Sequence, residues 1–127
     1  MKRFCLVLAA LAGLLLLPAT RVVPVLVHAV APQNHVVKVA DSDPDAQKWT
    51  WVPEQVTVKV GDTVTWDMTG AQVSHTATSD PGQPGPAWDS GYIAPGSKWT
   101  YKFTTVGDIH YHCTPHPWKK GVIHVTP

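Results

Sequence analysis

Short runs in which apolar and polar residues alternate recur between residues 35 and 125, and they constrain the fold more than any other feature. Alternation with a period of two is typical of strands that bury one face. No segment has a convincing helical period, although one turn of helix fits near residues 41–48. The pattern predicts an all-β fold, an antiparallel β-sandwich. Its strands are expected at residues 35–39, 55–60, 63–66, 98–103, 109–113 and 121–125.

Two of these runs give more detailed predictions. The runs 55–60 and 63–66 are separated by Gly61-Asp62, which predicts a β-hairpin. In the run 109–113, Ile109, Tyr111 and Cys113 share one face, whereas His110 and His112 share the other. Because the apolar set is expected to face the core, Cys113 should lie at the end of an inward-pointing row.

The N-terminus, with a basic start and an apolar run over residues 4–17, is typical of a signal peptide. Such a run is short for a membrane-spanning helix. Cleavage after Val27-His28-Ala29 predicts a signal peptide over 1–29 and a single domain over 30–127, with Ala31 as the alternative cleavage position. The protein would then be periplasmic or extracellular, with no membrane span in the mature form. The other possibility is an uncleaved anchor that uses the apolar stretch 22–31.

The charge balance excludes a basic nucleic-acid surface, because ten Lys and Arg residues face nine Asp and Glu residues. Loss of residues 1–29 removes three basic residues and leaves a net charge of −2. It also removes Cys5, so that Cys113 is the one remaining cysteine. A single cysteine in an oxidising compartment is a hazard, an intermolecular link or a ligand.

Cys113-Thr114-Pro115-His116 places a thiolate and an imidazole three residues apart on a turn that prolines stiffen. Such donors suit copper or zinc, but a C-x-x-H motif alone is a weak signal. A second histidine from a distant strand is required. His75, 38 residues before Cys113, follows the strand at 63–67, and the intervening chain is long enough to return to it.

The stretch SGYIAPGSKWTYKFTTVGDIHYHCTPHPWKKGVIHV, residues 90–125, closely resembles the C-terminal half of small blue copper proteins. These are the cupredoxins of the plastocyanin, pseudoazurin and amicyanin type. Residues 56–79 resemble their first ligand region. The resemblance implies an eight-stranded Greek-key sandwich holding one copper ion near one end, with equatorial ligands His75, Cys113 and His116. It also implies redox protein partners that dock transiently near His116, on an apolar electron-entry patch formed by Pro115, Pro117 and Trp118.

The chain departs from this family where the amicyanin-like loop carries an axial methionine, since that position is Lys119. Met68 lies seven residues before His75 and is misplaced for the role. Lys119 could point to solvent, with at most a backbone carbonyl such as that of Ser74 near the metal, or water could fill the position. Ligation by a neutral Lys119 amine requires a pKa far below about 10.4. We expect one of the first two arrangements.

A second departure is Thr76, where many cupredoxins carry an asparagine that fastens the two ligand loops together. Several other polar and aromatic residues are interpreted as structural. We interpret three histidines as solvated surface residues rather than as ligands of a second metal: His110, His112 and His124. The aspartates of a solvated bulge are Asp41, Asp43 and Asp45. The aromatic residues of the core are Trp66, Trp99 and Tyr111.

The leading hypothesis is an exported, monomeric, mononuclear type 1 copper protein that shuttles single electrons and is not an enzyme. A copper enzyme would need a further copper centre that one His₂Cys set does not supply. The alternative is a copper-binding module for sequestration, delivery or tolerance, which Lys119 and the extra histidines favour weakly. The same ligand set is also compatible with zinc.

Overall fold

The computed structural model describes residues 29–127, so the expected signal peptide lies outside the described residues except for Ala29. Two four-stranded sheets face each other, with strand orders β2-β1-β4-β6 and β3-β8-β7-β5. Within residues 29–127, no helix has the length and hydropathy needed to cross a membrane. The strands are β1 Asn34–Ala40, β2 Thr50–Val52, β3 Gln55–Lys59, β4 Thr63–Asp67, β5 Thr78–Ser79, β6 Lys98–Lys102, β7 Gly107–Cys113 and β8 His116–Thr126.

The expected β-sandwich of about eight strands is confirmed, and a 3₁₀ turn at Ala46–Lys48 lies where one turn of helix was expected. The expectation that the strands are all antiparallel is wrong for two pairs. β1 runs parallel to β4, and β3 runs parallel to β8, whereas the other four pairs are antiparallel. Side chains alternate across a strand in the same way in both arrangements, so the sequence pattern does not distinguish them.

The predicted hairpin at Gly61-Asp62 is also wrong, because β3 and β4 lie in different sheets. The chain changes sheets at this corner. The amide of Val60 donates to the Thr126 carbonyl at the end of β8, and the next amide, that of Gly61, donates to the Phe103 carbonyl beyond β6. Both strands need to bury one apolar face, and two facing sheets satisfy that need as well as one hairpin does.

The inward row of β7 is confirmed, since Ile109, Tyr111 and Cys113 are buried and His110 and His112 are more exposed. Tyr111 packs directly on Gly121 of β8, where an added Cβ would collide with the tyrosine ring. The expected aromatic core is present as well: Trp66 is fully buried, and the half-buried Trp99 packs against it. This packing holds β7 and β8 together, and Cys113 and His116 lie at the end where they join.

Candidate metal centre

Three side chains that sequence analysis selected converge at one end of the sandwich. Cys113 Sγ lies 3.6 Å from His75 Nδ1 and 3.4 Å from His116 Nδ1. The three donor atoms all lie within 4.8 Å of one another. Within residues 29–127, no other group of three His, Cys, Asp or Glu side chains has this spacing.

The backbone explains how each donor reaches this point. Cys113 is the last residue of β7 and His116 the first of β8, and the two are register partners across the connecting turn. His75 is held from the other side, because its amide donates to the Ile93 carbonyl and its carbonyl accepts from the Ile93 amide. His75 and Cys113 are fully buried, whereas His116 is half-buried. The site therefore has one enclosed histidine and one that reaches the surface.

Thr76 joins the two ligand segments in place of the asparagine that resemblance led us to look for. Its Oγ1 accepts a hydrogen bond of 2.8 Å from the Thr114 amide and lies 3.1 Å from Thr114 Oγ1. Its own amide donates to Cys113 Sγ at 3.4 Å. A threonine hydroxyl can accept and donate at once, so it can replace the amide side chain as the link between the loops.

Lys119 does not point to solvent, so that expectation is wrong. The residue is 1% exposed, and its Nζ lies 3.0 Å from His75 Nδ1 and 3.9 Å from the centroid of the Trp51 ring. Burial lowers the pKa of Lys119 to about 8, although Cys113 and Asp41 act to raise it. The cause is strand parity. β8 begins at His116, five residues before the expected start, which places Lys119 on the same inward face as Gly121 and Ile123.

Asp41 is the site residue that sequence analysis misread. It is buried rather than part of a solvated bulge, and its Oδ2 lies 3.0 Å from His75 Nε2. Burial alone would raise the pKa of Asp41, but hydrogen bonds from His75 and from the amides of Gln72 and Val73 outweigh it and lower the pKa. The alternation of β1 could have predicted this burial, because Asp41 continues the inward row of Val37 and Val39.

The surroundings of His75 and His116 favour the neutral form of both imidazole rings. Burial, and then the charge of Lys119, lower the pKa of His116 below its usual value. Burial also lowers the pKa of His75 and outweighs the hydrogen bond to Asp41. A lowered pKa favours the neutral imidazole at neutral pH, and only the neutral ring offers a nitrogen lone pair to a metal.

Aromatic rings enclose the centre, and two of them were not anticipated from the sequence. Trp49 packs edge-on against His116 at a centroid distance of 5.1 Å, and Trp51 lies 6.1 Å from His75. Trp118 also packs against His116, at a centroid distance of 5.5 Å; it is 36% exposed, and its indole nitrogen donates to the Ala46 carbonyl. Of the expected patch, Pro115 and Pro117 are exposed beside it.

Two further histidines of β7 and β8 pair with aspartates outside this centre, and a third, His110, is exposed. His112 pairs with Asp80, and His124 pairs with Asp108. Met68 is fully buried in the apolar core. Ser74 precedes His75 and is half-buried, and the role of its carbonyl near the metal stays a prediction.

Residues 37–126 match the family described as copper binding proteins, plastocyanin/azurin family. Amicyanin of Paracoccus denitrificans is 34% identical over 80 residues, which cover 62% of this chain and 60% of that protein. The alignment thus spans less than two thirds of this relative's length.

Solved structures agree with this match. A reduced Cu(I) form at pH 4 of a proline-to-glycine mutant of amicyanin is 31% identical, with a TM-score of 0.62, over 76% of this chain and 86% of that one. An oxidized amicyanin mutant with lysine in place of a methionine is 32% identical, with a TM-score of 0.62, over 73% and 82% of the two chains.

The β-sandwich and its thiolate–imidazole cluster define a protein of the cupredoxin class. The chain belongs to the plastocyanin/azurin family of copper binding proteins. Cupredoxins bind one copper ion and carry electrons rather than catalyse reactions, which agrees with the expectation of a copper cofactor in a protein that is not an enzyme.

Proposed function

We propose that this protein is an exported type 1 copper protein that carries single electrons between redox partners, with copper bound by His75, Cys113 and His116. The spacing of the three donor atoms carries the proposal. Residues 30–127 would form the mature monomeric domain after removal of the signal peptide, in the periplasm or outside the cell. The copper ion supplies the redox chemistry by cycling between Cu(II) and Cu(I).

The donor set fits such an ion. Metal bonds of about 2.0 Å to imidazole nitrogen and 2.3 Å to thiolate sulfur place the two donor atoms about 3.5–3.7 Å apart at angles between tetrahedral and trigonal. The observed separations from Cys113 Sγ are 3.6 Å and 3.4 Å. A trigonal His₂Cys set is the ligand arrangement of blue copper electron-transfer sites.

In our proposal Lys119 Nζ would be the group on the axial side of a copper ion held by the three donors. Three observations support it: the side chain is buried, its nitrogen contacts His75 Nδ1, and the Trp51 ring packs against it. The axial group tunes the reduction potential of a blue copper site while the other three ligands supply most of the binding. Exchange of a thioether for a lysine nitrogen therefore alters potential and colour more than it alters copper retention.

Electrons would pass through the His116 side of the centre. His116 is half-buried, and the exposed Pro115, Pro117 and Trp118 surround it with apolar surface. His75 on the other side is fully enclosed. A small apolar surface suits brief encounters with redox proteins, which bury little area and separate quickly.

The test is to load the protein with copper and record absorption, electron paramagnetic resonance and electrode kinetics. The expected result is an intense thiolate-to-copper band with fast reversible electron exchange. Cys113→Ser should abolish the band because it removes the thiolate. His112→Gln is the matched control, since His112 neighbours Cys113 but lies on the other face of β7.

An unchanged band in Cys113→Ser would refute the ligand assignment. Slow electrode kinetics, together with ready transfer of copper to a chelator, would instead favour copper sequestration or delivery.

A further inference from the structure

We propose that Asp41 is a positioning residue of the copper centre: its carboxylate orients His75 toward the metal and provides the negative charge opposite buried Lys119. The inference rests on the proposed copper role of His75. Asp41 lies just beyond the end of β1, 34 residues before His75.

The first step concerns the proton on His75. Asp41 Oδ2 accepts from the amides of Gln72 at 2.9 Å and Val73 at 3.2 Å. It also lies 3.0 Å from His75 Nε2. An ionised carboxylate accepts hydrogen bonds and cannot donate them. His75 Nε2 must therefore carry the proton, and the lone pair is left on Nδ1, which faces Cys113 Sγ.

The second step concerns the backbone that carries His75. Two of the three donors to Asp41 are amides of the segment that leads directly into this histidine. The same carboxylate thus ties both the ligand ring and its backbone to the end of β1. Partners of this type hold ligating histidines in the orientation and tautomer that metal binding needs.

The third step concerns charge. The Asp41 side chain is 2% exposed and Lys119 is 1% exposed, so solvent screens neither strongly. Asp41 contacts one ring nitrogen of His75, and Lys119 Nζ lies 3.0 Å from the other. A buried charge without a partner is costly. Asp41 therefore offsets positive charge at the centre, both that of Lys119 and that of the metal.

Loss of this charge should affect the two copper states unequally. The electrostatic attraction of Asp41 is greater for Cu(II) than for Cu(I), because the ion carries one more positive charge. Removing the charge while keeping the hydrogen bonds should therefore weaken Cu(II) binding more than Cu(I) binding. The reduction potential then rises.

Asp41→Asn and Asp41→Ala separate the two roles. The asparagine carbonyl can still accept the three hydrogen bonds but carries no charge, whereas alanine removes both. Asp62→Asn is a matched control, because Asp62 also accepts from two amides and contacts a histidine Nε2, that of His35. Asp62 accepts from the Gln33 amide, and the seven residues of β1, at about 3.3 Å each, separate Gln33 from Asp41.

The first measurement uses the metal-free protein and records the tautomer of His75 by ¹⁵N-edited NMR. Wild type, Asp41→Asn and Asp62→Asn should all show the Nε2-protonated form. Lys119 Nζ also contacts His75 Nδ1 and can hold the proton on Nε2, so the effect of Asp41→Ala is measured together with Lys119→Met and compared with Lys119→Met alone. The double variant should show a mixture of both neutral forms. If it retains a single Nε2-protonated form, the positioning role is refuted.

The second measurement uses Cu(I) in competition with a chelator, together with the reduction potential. For Asp41→Ala we expect a loss of Cu(I) affinity of about 10- to 100-fold, the range found for partners of metal ligands. For Asp41→Asn we expect the ratio of Cu(II) affinity to Cu(I) affinity to fall about tenfold. This corresponds to a rise of about 59 mV in the reduction potential. If Asp41→Asn changes the potential no more than Asp62→Asn does, the charge role is refuted.

The two hypotheses fail in different ways. If wild-type protein forms no thiolate-to-copper band, the proposed function is wrong, and the tautomer measurement still tests the orientation of His75. If wild type is blue and both Asp41 variants match it in affinity and potential, the proposed function stands and the role of Asp41 is wrong. Asp41→Asn keeps the test decisive even if Asp41→Ala does not fold.

Discussion

Two aspartates of this protein make nearly the same hydrogen bonds in very different places. Asp41 accepts from the amides of Gln72 and Val73 and contacts His75 Nε2 at 3.0 Å. Asp62 accepts from the amides of Gln33 and Lys59 and contacts His35 Nε2, also at 3.0 Å. In both cases one carboxylate joins two backbone amides and a histidine, and we call this arrangement a clamp. A clamp does not by itself make a functional site.

The difference lies beyond the histidine. The side chain of His35 is 27% exposed, so its ring reaches water. His75 is fully enclosed, and its second nitrogen faces Cys113 Sγ and Lys119 Nζ. The same clamp therefore joins a corner of the fold at Asp62, whereas at Asp41 we propose that it directs a lone pair of His75 toward the copper site. Burial and the neighbouring donors decide between the two outcomes.

The largest effect that separates the two clamps should come from removing their histidines. In the proposed site His75 is one of three strong copper donors. His75→Ala should therefore lower Cu(I) affinity by more than about 100-fold, the upper limit of the loss found when a hydrogen-bond partner of a metal ligand is removed. His35→Ala should change the affinity by less than about threefold. Competition with a Cu(I) chelator measures both. Comparable losses in the two variants would show that His75 is not a ligand.

A smaller effect should come from the residue on the far side of His75. Lys119→Met removes the nitrogen 3.0 Å from His75 Nδ1 and puts a thioether in its place. We expect a changed absorption spectrum and a shifted reduction potential with copper still bound, because axial identity tunes both properties. Lys120→Met is the control, since Lys120 is the next residue of β8 and is exposed.

The sign of the potential shift carries further information about Lys119. A lower potential in Lys119→Met would mean that the wild-type side chain acts as a positive charge, and a higher one that it acts as a nitrogen donor. Identical spectra and potentials in wild type and Lys119→Met would contradict the axial placement.

The smallest effect should come from the clamp at Asp62, and it should appear as a dependence of the stability of the fold on acid pH. Hydrogen bonds from the Gln33 and Lys59 amides, and then from His35, lower the pKa of Asp62 from 3.8 to about 2. A carboxyl whose pKa is lower in the folded state stabilises the fold above its unfolded pKa, and this contribution is lost as pH falls. Here the loss should occur between about pH 4 and pH 2.

Asp62→Asn should therefore be less stable than wild type at pH 7 and should lose less stability on going from pH 4 to pH 2. Urea unfolding midpoints at these pH values measure the difference. Equal pH slopes in the two proteins would mean that the Asp62 clamp does not depend on the ionised carboxylate.

Local patterns of the sequence were sufficient for a large part of this architecture. Alternation placed most strands, and the C-x-x-H turn identified Cys113 and His116, because a strand end and a tight turn fix their relative position within four residues. Lys119 and Asp41 were misread for a more instructive reason. Lys119 lies inside β8, which begins five residues before the expected start, and Asp41 lies one residue beyond β1. Both have the parity of an inward row, but their polar side chains led us to expect exposure to solvent.

Other features had no local signal. The separation of β3 and β4 into two sheets depends on which strand each one meets, and the pairing partners are distant in sequence, as Val58 with Val125 shows. The link from Thr76 to Thr114 likewise joins segments 38 residues apart. Such contacts depend on how the two sheets pack, and the alternation of residues within one strand does not predict that packing.

The sequence alone thus determined most of the strand content and the turn that carries Cys113 and His116, because both depend on residues close together in the chain. His75, 38 residues away, was selected by its place after a strand and by the resemblance to blue copper proteins. Only the tertiary structure decided that Asp41 and Lys119 flank His75 inside the fold. Their roles follow from burial and from contacts across 34 and 44 residues of chain. The energy of a charged group depends on the medium and the partners around it, and these are set only when the sheets pack.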